Sequence, residues 1–364
     1  MKRKNKKILI LVWNMDIGGV QKRVRDIVYY LNRHYPRHEV YLLVKKAYPT
    51  PLLRDIKKLK KINIRYFSKT PKKKYLLSIF WLINEYYKIK PQVALTFLNR
   101  LSVQLIFVRW LYFWHPVKII LNEGIFTSLY LKMYENLFWQ ILVKIFYPLA
   151  NTIIVPTKAI KIDLIKNYKV KQKGIFVVPN WILSFPKVSK NKKFDLIYLG
   201  RLEREKNIFL LLELVKKLKN IKPNITCCIL GKGSLEKKLK YQILRQGLKE
   251  NVCFSGFKKN VGTFLSQSKI LILPSLNEGM PNCVLEASSY KIPSIINNFS
   301  GALEIITHTK TGYIARNKKE FFKYTKQLIK YPSLRKRLGT NAYKVAKQKF
   351  GSNNLKRFTK LLMT

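Results

Sequence analysis

The chain has 364 residues, of which 48% are hydrophobic, 72 are Lys or Arg and only 18 are Asp or Glu, a formal net charge of +54. That length exceeds a single small domain, and that apolar content excludes a wholly disordered chain. Dividing the chain after Asn180 leaves 35 basic and 8 acidic residues before and 37 and 10 after, so each half carries +27 and the charge is no basic tail on a neutral body.

In chain order, the basic start (residues 2–7) runs into a short apolar stretch with no small-residue cleavage site after it. Residues 7–13 therefore read as a buried strand and not as a signal peptide. A loop over 14–19 holds Gly18 and Gly19; helical periodicity follows over 20–32 and a strand over 39–44. Further strands are predicted at 93–97, 117–121 and 152–155, each near a helical stretch. Residues 101–121 are the most membrane-like, but Arg109, His115-Pro116 and Lys118 interrupt them, so no span is predicted. Residues 129–149 repeat Leu, Met, Tyr, Phe, Trp and Ile at helical spacing around Lys132 and Lys144. That pattern suits a core-facing helix or one lying on a membrane surface.

A stretch with two prolines and many Lys, Asn and Ser residues separates this half from the next. Strands are then predicted at 194–199, 226–230, 252–254, 270–273 and 294–296, with helices between them, and the last fifteen or so residues read as a basic helix. Strands apolar throughout and alternating with helices predict an α/β chain with two parallel sheets, each covered on both faces. The expected division is a domain over 1–180, a linker over 181–193, a domain over 194–345, and a C-terminal basic helix over 346–364 packing back on the first domain. Cys227, Cys228, Cys253 and Cys283 lack paired spacing and read as reduced thiols of a cytosolic protein.

Ligands of open parallel sheets sit at the carboxyl ends of strands, and the glycine-bearing loops at 14–19, 122–127, 200–206, 231–234 and 275–282 all fall there. Their clustering predicts a functional cleft between the two domains. Gly231-Lys232-Gly233 alone fits no full phosphate-loop pattern. The most informative stretch is Glu278-Gly279-Met280-Pro281-Asn282-Cys283-Val284-Leu285-Glu286. A strand, a tight loop and a helix opened by proline place backbone N–H groups at a helix N-terminus, and two carboxylates there can grip two parts of one elongated molecule. Gly200-Arg201-Leu202-Glu203-Arg204-Glu205-Lys206-Asn207 likewise joins a strand to a helix. Its Arg201 and Lys206 place a fork donor beside a point charge, which suits a diphosphate.

Gly200-Arg201-Leu202 with Glu205-Lys206-Asn207, Leu273-Pro274-Ser275, the stretch from Glu278 to Ala287, Gly301 with Glu304, and Thr311-Gly312-Tyr313 together resemble the retaining family-four glycosyltransferases of GT-B fold. Gly18-Gly19-Val20 and Val178-Pro179-Asn180 match as well, so the resemblance covers nearly the whole chain. It implies two Rossmann-like domains facing a cleft, the first for the acceptor and the second for the nucleotide sugar. It implies that Arg201 and Lys206 bind the donor diphosphate, that Glu286 holds the ribose hydroxyls, and that Glu278 with Gly279, Met280, Pro281 and Asn282 addresses the donor sugar. Gly18 and Gly19 would let the N-terminal loop approach the phosphates and the acceptor, Gly200 would belong to the donor site, and the base would stack near Gly256 and Phe257. Many members carry a histidine where this chain reads Asn122-Glu123-Gly124; Glu123 resembles a variant that contacts donor or acceptor.

No Asp-x-Asp motif occurs, so Arg and Lys stand where a metal clamp would, and no metal or cofactor is expected. The resemblance implies a reaction that moves a hexose or N-acetylhexosamine, by preference from a UDP-sugar, to a lipid-linked saccharide of lipopolysaccharide, capsule or a related envelope glycan. With the charge and the 129–149 segment, the resemblance also implies an anionic membrane surface as a partner, on the cytoplasmic leaflet. Two rivals are weighed. A nucleic-acid-binding protein would use the charge and the 47 aromatics, but no recognition signature accompanies them, leaving nonspecific binding as the expectation. A sugar-nucleotide epimerase on the same fold is disfavoured by the Arg201/Lys206 and Glu278/Glu286 layout.

Overall fold

A computed structural model describes residues 5–16, 18–46, 50–68, 77–188, 191–258 and 260–364. Residues 1–4 of the basic start, Ile17 of the first loop and residues 189–190 of the expected linker lie outside them. The chain forms two compact units, Met1–Pro179 with Asn353–Thr364, and Asn180–Ser352.

In the first unit, β1 (Lys7–Asn14), β2 (Glu39–Lys46), β3 (Ile62–Ser68), β4 (Val93–Phe97), β5 (Lys118–Asn122), β6 (Thr152–Val155) and β7 (Ile175–Val177) form one sheet in the order β3-β2-β1-β4-β5-β6-β7. Every neighbouring pair is parallel. Ile8, Leu9, Ile10 and Leu11 of β1 are all buried, as expected of a strand covered by helices on both faces. Strand order reverses between β1 and β4, so the loops after these strands flank a topological switch point. The closing helix Ser352–Met363 belongs to this unit: Lys6 Nζ donates to Met363 O (2.5 Å) and Lys118 Nζ to Leu361 O (2.9 Å).

Residues 129–149 are not one helix. Thr127–Tyr134 and Leu137–Phe146 are separate helices, followed by a 3-10 turn at Tyr147–Leu149. The break has a local cause: Asn136 caps the second helix by accepting from Trp139 N (3.2 Å). Beside it, Glu135 turns back to a bidentate pair with Arg100 (2.8 and 2.5 Å), whose guanidinium lies over the Trp139 ring. Leu137, Phe138, Ile141 and Ile145 remain exposed on the second helix, with Trp110, Phe113 and Trp114 exposed elsewhere in the unit.

In the second unit, β8 (Phe194–Leu199), β9 (Cys227–Leu230), β10 (Val252–Gly256), β11 (Ser268–Leu273), β12 (Ser294–Asn297) and β13 (Gly312–Ala315) form a parallel sheet in the order β10-β9-β8-β11-β12-β13. The switch point here lies between β8 and β11. The loops that follow those two strands are the ones that carry Arg201, Lys206 and Glu278. Strands β3, β7 and β13 go beyond the sequence expectation, because β7 has three residues, β13 four, and β3 mixes Asn and Arg into its apolar pattern.

Candidate functional site

The turn after β8 is shaped by backbone contact with the turn after β9. Gly200 N donates to Leu230 O (3.1 Å) and Leu202 N to Lys232 O (2.9 Å). Gly231 has φ +155°, and a Cβ there would lie 1.8 Å from Gly200 O; one on Gly233 would lie 2.4 Å from Leu202 O. Gly231-Lys232-Gly233 is therefore the support beneath the Gly200–Leu202 turn and not a phosphate loop of its own. Glu203 fastens the same turn, accepting from Ser234 N (3.0 Å) and Oγ (2.6 Å). Burial alone would raise its carboxyl, but these bonds and Arg201 hold it below the usual range.

Arg201 is exposed, and its guanidinium donates to Glu205 Oε1 (2.9 Å). Lys206 is mostly buried and donates from Nζ to Glu278 Oε1 (2.7 Å), joining the turn after β8 to the turn after β11. Leu276 N adds a backbone bond to Glu205 O (2.8 Å). The two loops flanking the switch point are thus held as one, and each cation is paired with a carboxylate there. The sequence offers no hint of Tyr198, one residue before the end of β8. It is fully buried, and its hydroxyl donates to Arg201 O (2.8 Å). A Cβ on Gly200 would lie 2.8 Å from that hydroxyl. Burial, with Cys283, Glu278 and Glu205 nearby, drives the phenol well above its ordinary range, so it stays a donor.

Helix Asn282–Ser289 follows the Glu278 loop. Pro281 is its N-cap, one residue earlier than a proline-opened helix requires, and no side chain caps it. Its first amides suit an anion or hydroxyl ligand. Glu286 lies one turn in. Burial raises the Cys283 thiol, and the Glu278 and Glu286 carboxylates raise it further, so Cys283 sits within the field of both. Asn180 clasps the loop from behind: Nδ2 donates to Met280 O (3.0 Å) and Asn282 Oδ1 (2.6 Å), and its backbone N–H to Met280 Sδ (3.2 Å). Gly256 ends β10 at φ +63° and accepts from Gly231 N (2.9 Å), which brings Phe257 to the same end of the sheet. Gly200, Arg201, Lys206, Gly256, Phe257, Glu278 to Asn282 and Glu286 therefore all stand at the carboxyl ends of β8 to β11 or on the helix that begins there. Among the described residues no group of three or more His, Cys, Asp or Glu side chains forms a metal site.

In the first unit, Gly18 is extended (φ −176°) and caps helix Gly19–His34. A Cβ there would meet Gln21 Oε1 at 2.5 Å, and Gln21 Nε2 donates to Asn14 Oδ1 (2.8 Å), so Gly18 leaves room for Gln21 to close the loop. Glu123, for which the resemblance implies a contact with donor or acceptor, is buried in a hydrogen-bonded cluster. It is 1% exposed and accepts from Tyr147 Oη (2.7 Å), with Ser102 Oγ and Asn99 Nδ2 each at 3.5 Å. Its distant donor, Tyr147, lies in the 3-10 turn after the broken helix and has no signature in sequence.

Burial pushes Glu123 up to about 7, the hydrogen bonds opposing it. Raised above its unfolded value of about 4.3, the folded carboxyl keeps its proton longer than the unfolded one. Its contribution to stability is full below about 4.3 and is lost as pH rises to about 7, at no more than about 1.4 kcal/mol per pH unit. Glu123→Gln is expected to flatten that part of the curve. Thermal unfolding from pH 4 to 8 checks it: the variant's midpoint should gain on wild type as pH rises, and a constant offset would contradict the shift.

Comparison with known proteins addresses the whole chain. The family described as Glycosyltransferase Family 4 matches residues 17–182, and the family described as Glycosyl transferases group 1 matches residues 180–345. Together they run nearly end to end across the two parallel-sheet units. The chain belongs to the family-four glycosyltransferases of GT-B fold. Among relatives of this glycosyltransferase, a Campylobacter jejuni N-acetylgalactosamine-N,N'-diacetylbacillosaminyl-diphospho-undecaprenol 4-alpha-N-acetylgalactosaminyltransferase is 24% identical over 346 residues, 91% of this chain and 92% of that protein. An uncharacterized glycosyltransferase of Methanocaldococcus jannaschii is 30% identical over 57% of this chain, which spans about half of that relative's length (52%). The crystal structure of Anabaena HepE in complex with UDP and glucose superposes with a TM-score of 0.82 at 16% identity, covering 98% of this chain and 99% of that one. At that identity the likeness shows the fold.

Proposed function

We propose that this glycosyltransferase transfers a hexose or N-acetylhexosamine, with retention and without a metal, from a UDP-sugar to a lipid-linked saccharide during envelope glycan synthesis. One observation carries the reading: the Lys206–Glu278 pair with Arg201 beside it, at the switch point of the second unit's sheet. In this reading residues 194–345 hold the donor, 1–180 the acceptor, 181–193 link them and 346–364 return to the first domain. Glu286 holds the ribose, Gly256 and Phe257 the base, and Gly279 to Asn282 with Glu278 the sugar. Gly18, Gly19 and Gly200 give the phosphates backbone room.

The bond from the anomeric carbon to the diphosphate oxygen breaks, and its electron pair leaves with the diphosphate. Lys206 and Arg201 stabilise the charge that develops there. The acceptor hydroxyl attacks from the same face and passes its proton to the departing oxygen. Glu278 orients Lys206 and the sugar hydroxyls. Buried Glu123 then serves the acceptor domain from within, through Tyr147 and Asn99. The lipid-linked acceptor is supported by the Campylobacter relative's name.

No helix among the described residues is long and apolar enough to cross a membrane. The exposed face of Leu137, Phe138, Ile141 and Ile145 around Lys144, in a chain of charge +54, supports peripheral attachment to the anionic inner leaflet. The same charge makes nonspecific, salt-sensitive nucleic-acid capture an expected side property. One assay tests the reading: transfer from UDP-sugars to an undecaprenyl-diphosphate saccharide in vesicles. The product anomer should match the donor's, chelator should leave the rate unchanged, and phosphatidylglycerol should outpace phosphatidylcholine until salt is raised. An inverted anomer or a chelator-quenched rate would contradict it.

A further inference from the structure

The chain enters the second unit at Asn180 and leaves it after Ser352. At the entry, Asn180 is buried and makes three bonds to the 280–282 segment, two from its amide nitrogen and one from its backbone N–H. Two residues on, Ile182 N donates to Phe350 O (2.7 Å), two residues before the exit. Entry and exit are thus tied to each other, and the entry is tied to the Glu278–Asn282 loop. The loop needs such a tie. Glu278 is fixed at one end by Lys206, and Val284 N bonds Pro281 O (3.2 Å) at the other, while Met280 O and Asn282 Oδ1 accept from Asn180. With Oδ1 of Asn282 engaged by Asn180, its Nδ2 is the end presented as a donor. Asn180 thereby sets which way Asn282 offers hydrogen bonds and where the Met280 carbonyl lies.

We propose that Asn180 is a positioning residue: it holds the 278–282 loop in register for the donor's sugar from the point where the chain crosses between units. A change of backbone at the crossing is transmitted first to that loop; of the nucleotide-holding residues, Arg201 lies on the separate turn after β8, and Glu286 lies a full turn beyond Asn282 on the helix that the loop opens. The consequence for the sugar rests on the donor site proposed above; the clasp itself does not.

Two measurements separate these levels. Hydrogen–deuterium exchange on the ligand-free protein reads the clasp. Asn180→Ala should speed amide exchange in residues 276–283 about tenfold or more, while β8 and β12 peptides stay as in wild type. Asn282→Ala, which removes only the acceptor end, should give part of that effect. Loop exchange that does not change, or rises equally throughout the unit, overturns the proposal. Calorimetry with UDP and with UDP-glucose and UDP-N-acetylglucosamine then reads the consequence. Asn180→Ala should leave UDP affinity within about twofold and lower the affinity of the UDP-sugar that wild type prefers about tenfold. Equal loss for UDP and UDP-sugar would mark a merely structural residue and also overturn it. If wild type binds none of these probes, the donor reading fails by itself, and the exchange result still decides the clasp.

Discussion

Replacing Lys206 by alanine is expected to lower kcat about 10²–10³-fold at saturating donor, with KM for the donor moving by less than about tenfold. The reason is charge timing. In the ground state Lys206 faces a diphosphate whose charge is spread over many oxygens and a Glu278 carboxylate 2.7 Å away that already balances it. In the transition state an additional negative charge gathers on the leaving oxygen, and a mostly buried cation held by Glu278 meets it without reorganising. Interactions that grow only then raise kcat and not affinity. Arg201, exposed and paired with Glu205, is screened by water and should cost less when removed. Lys206→Arg should restore part of the rate, because charge survives while geometry does not. The variant also leaves Glu278 without its lysine, so Lys206→Met/Glu278→Gln is the control for lost stability. Steady-state rates decide: kcat within about threefold of wild type would remove Lys206 from the chemistry.

Glu286→Ala is expected to weaken nucleotide binding about 10²-fold. A carboxylate that accepts from two ribose hydroxyls forms charge-assisted bonds of about 1.5–3 kcal/mol each, and loss of one or both spans that range. Glu286 is partly exposed on a helix of eight residues, so its removal opens no buried cavity and should cost the fold little. Glu286→Gln keeps the shape and one acceptor and should fall between. An unchanged melting temperature with lost binding separates this from misfolding.

Much of this site was legible because its parts are local. Gly200, Arg201 and Lys206 lie within seven residues, and Glu278 and Glu286 within nine, each flanked by an apolar strand and a helix pattern. The period of the apolar residues places such loops at strand ends, and chain order places them at one end of a sheet. What stayed hidden depends on distant partners. Tyr198 reads as one more apolar strand residue until its hydroxyl meets Arg201 O. Gly231 and Gly233 look like half a phosphate loop until their neighbours prove to be Gly200 O and Leu202 O. The burial of Glu123 stayed hidden because nothing nearby in sequence announces its donor Tyr147, 24 residues away. The 129–149 helix was overextended because the periodicity continues through Glu135-Asn136, where a cap and an ion pair with Arg100 break it. Strand β7 escaped because three residues carry too little pattern.

The central claim is a shaped nucleotide site in the second unit, and calorimetric titration of UDP and GDP at high salt tests it most directly. High salt removes the indiscriminate anion capture that a charge of +54 brings, so the affinity that survives reports specific contacts. The account expects wild type to bind UDP and to prefer it over GDP, and Glu286→Ala to lose that binding. Absence of binding by either nucleotide, or equal binding by wild type and Glu286→Ala, would contradict it.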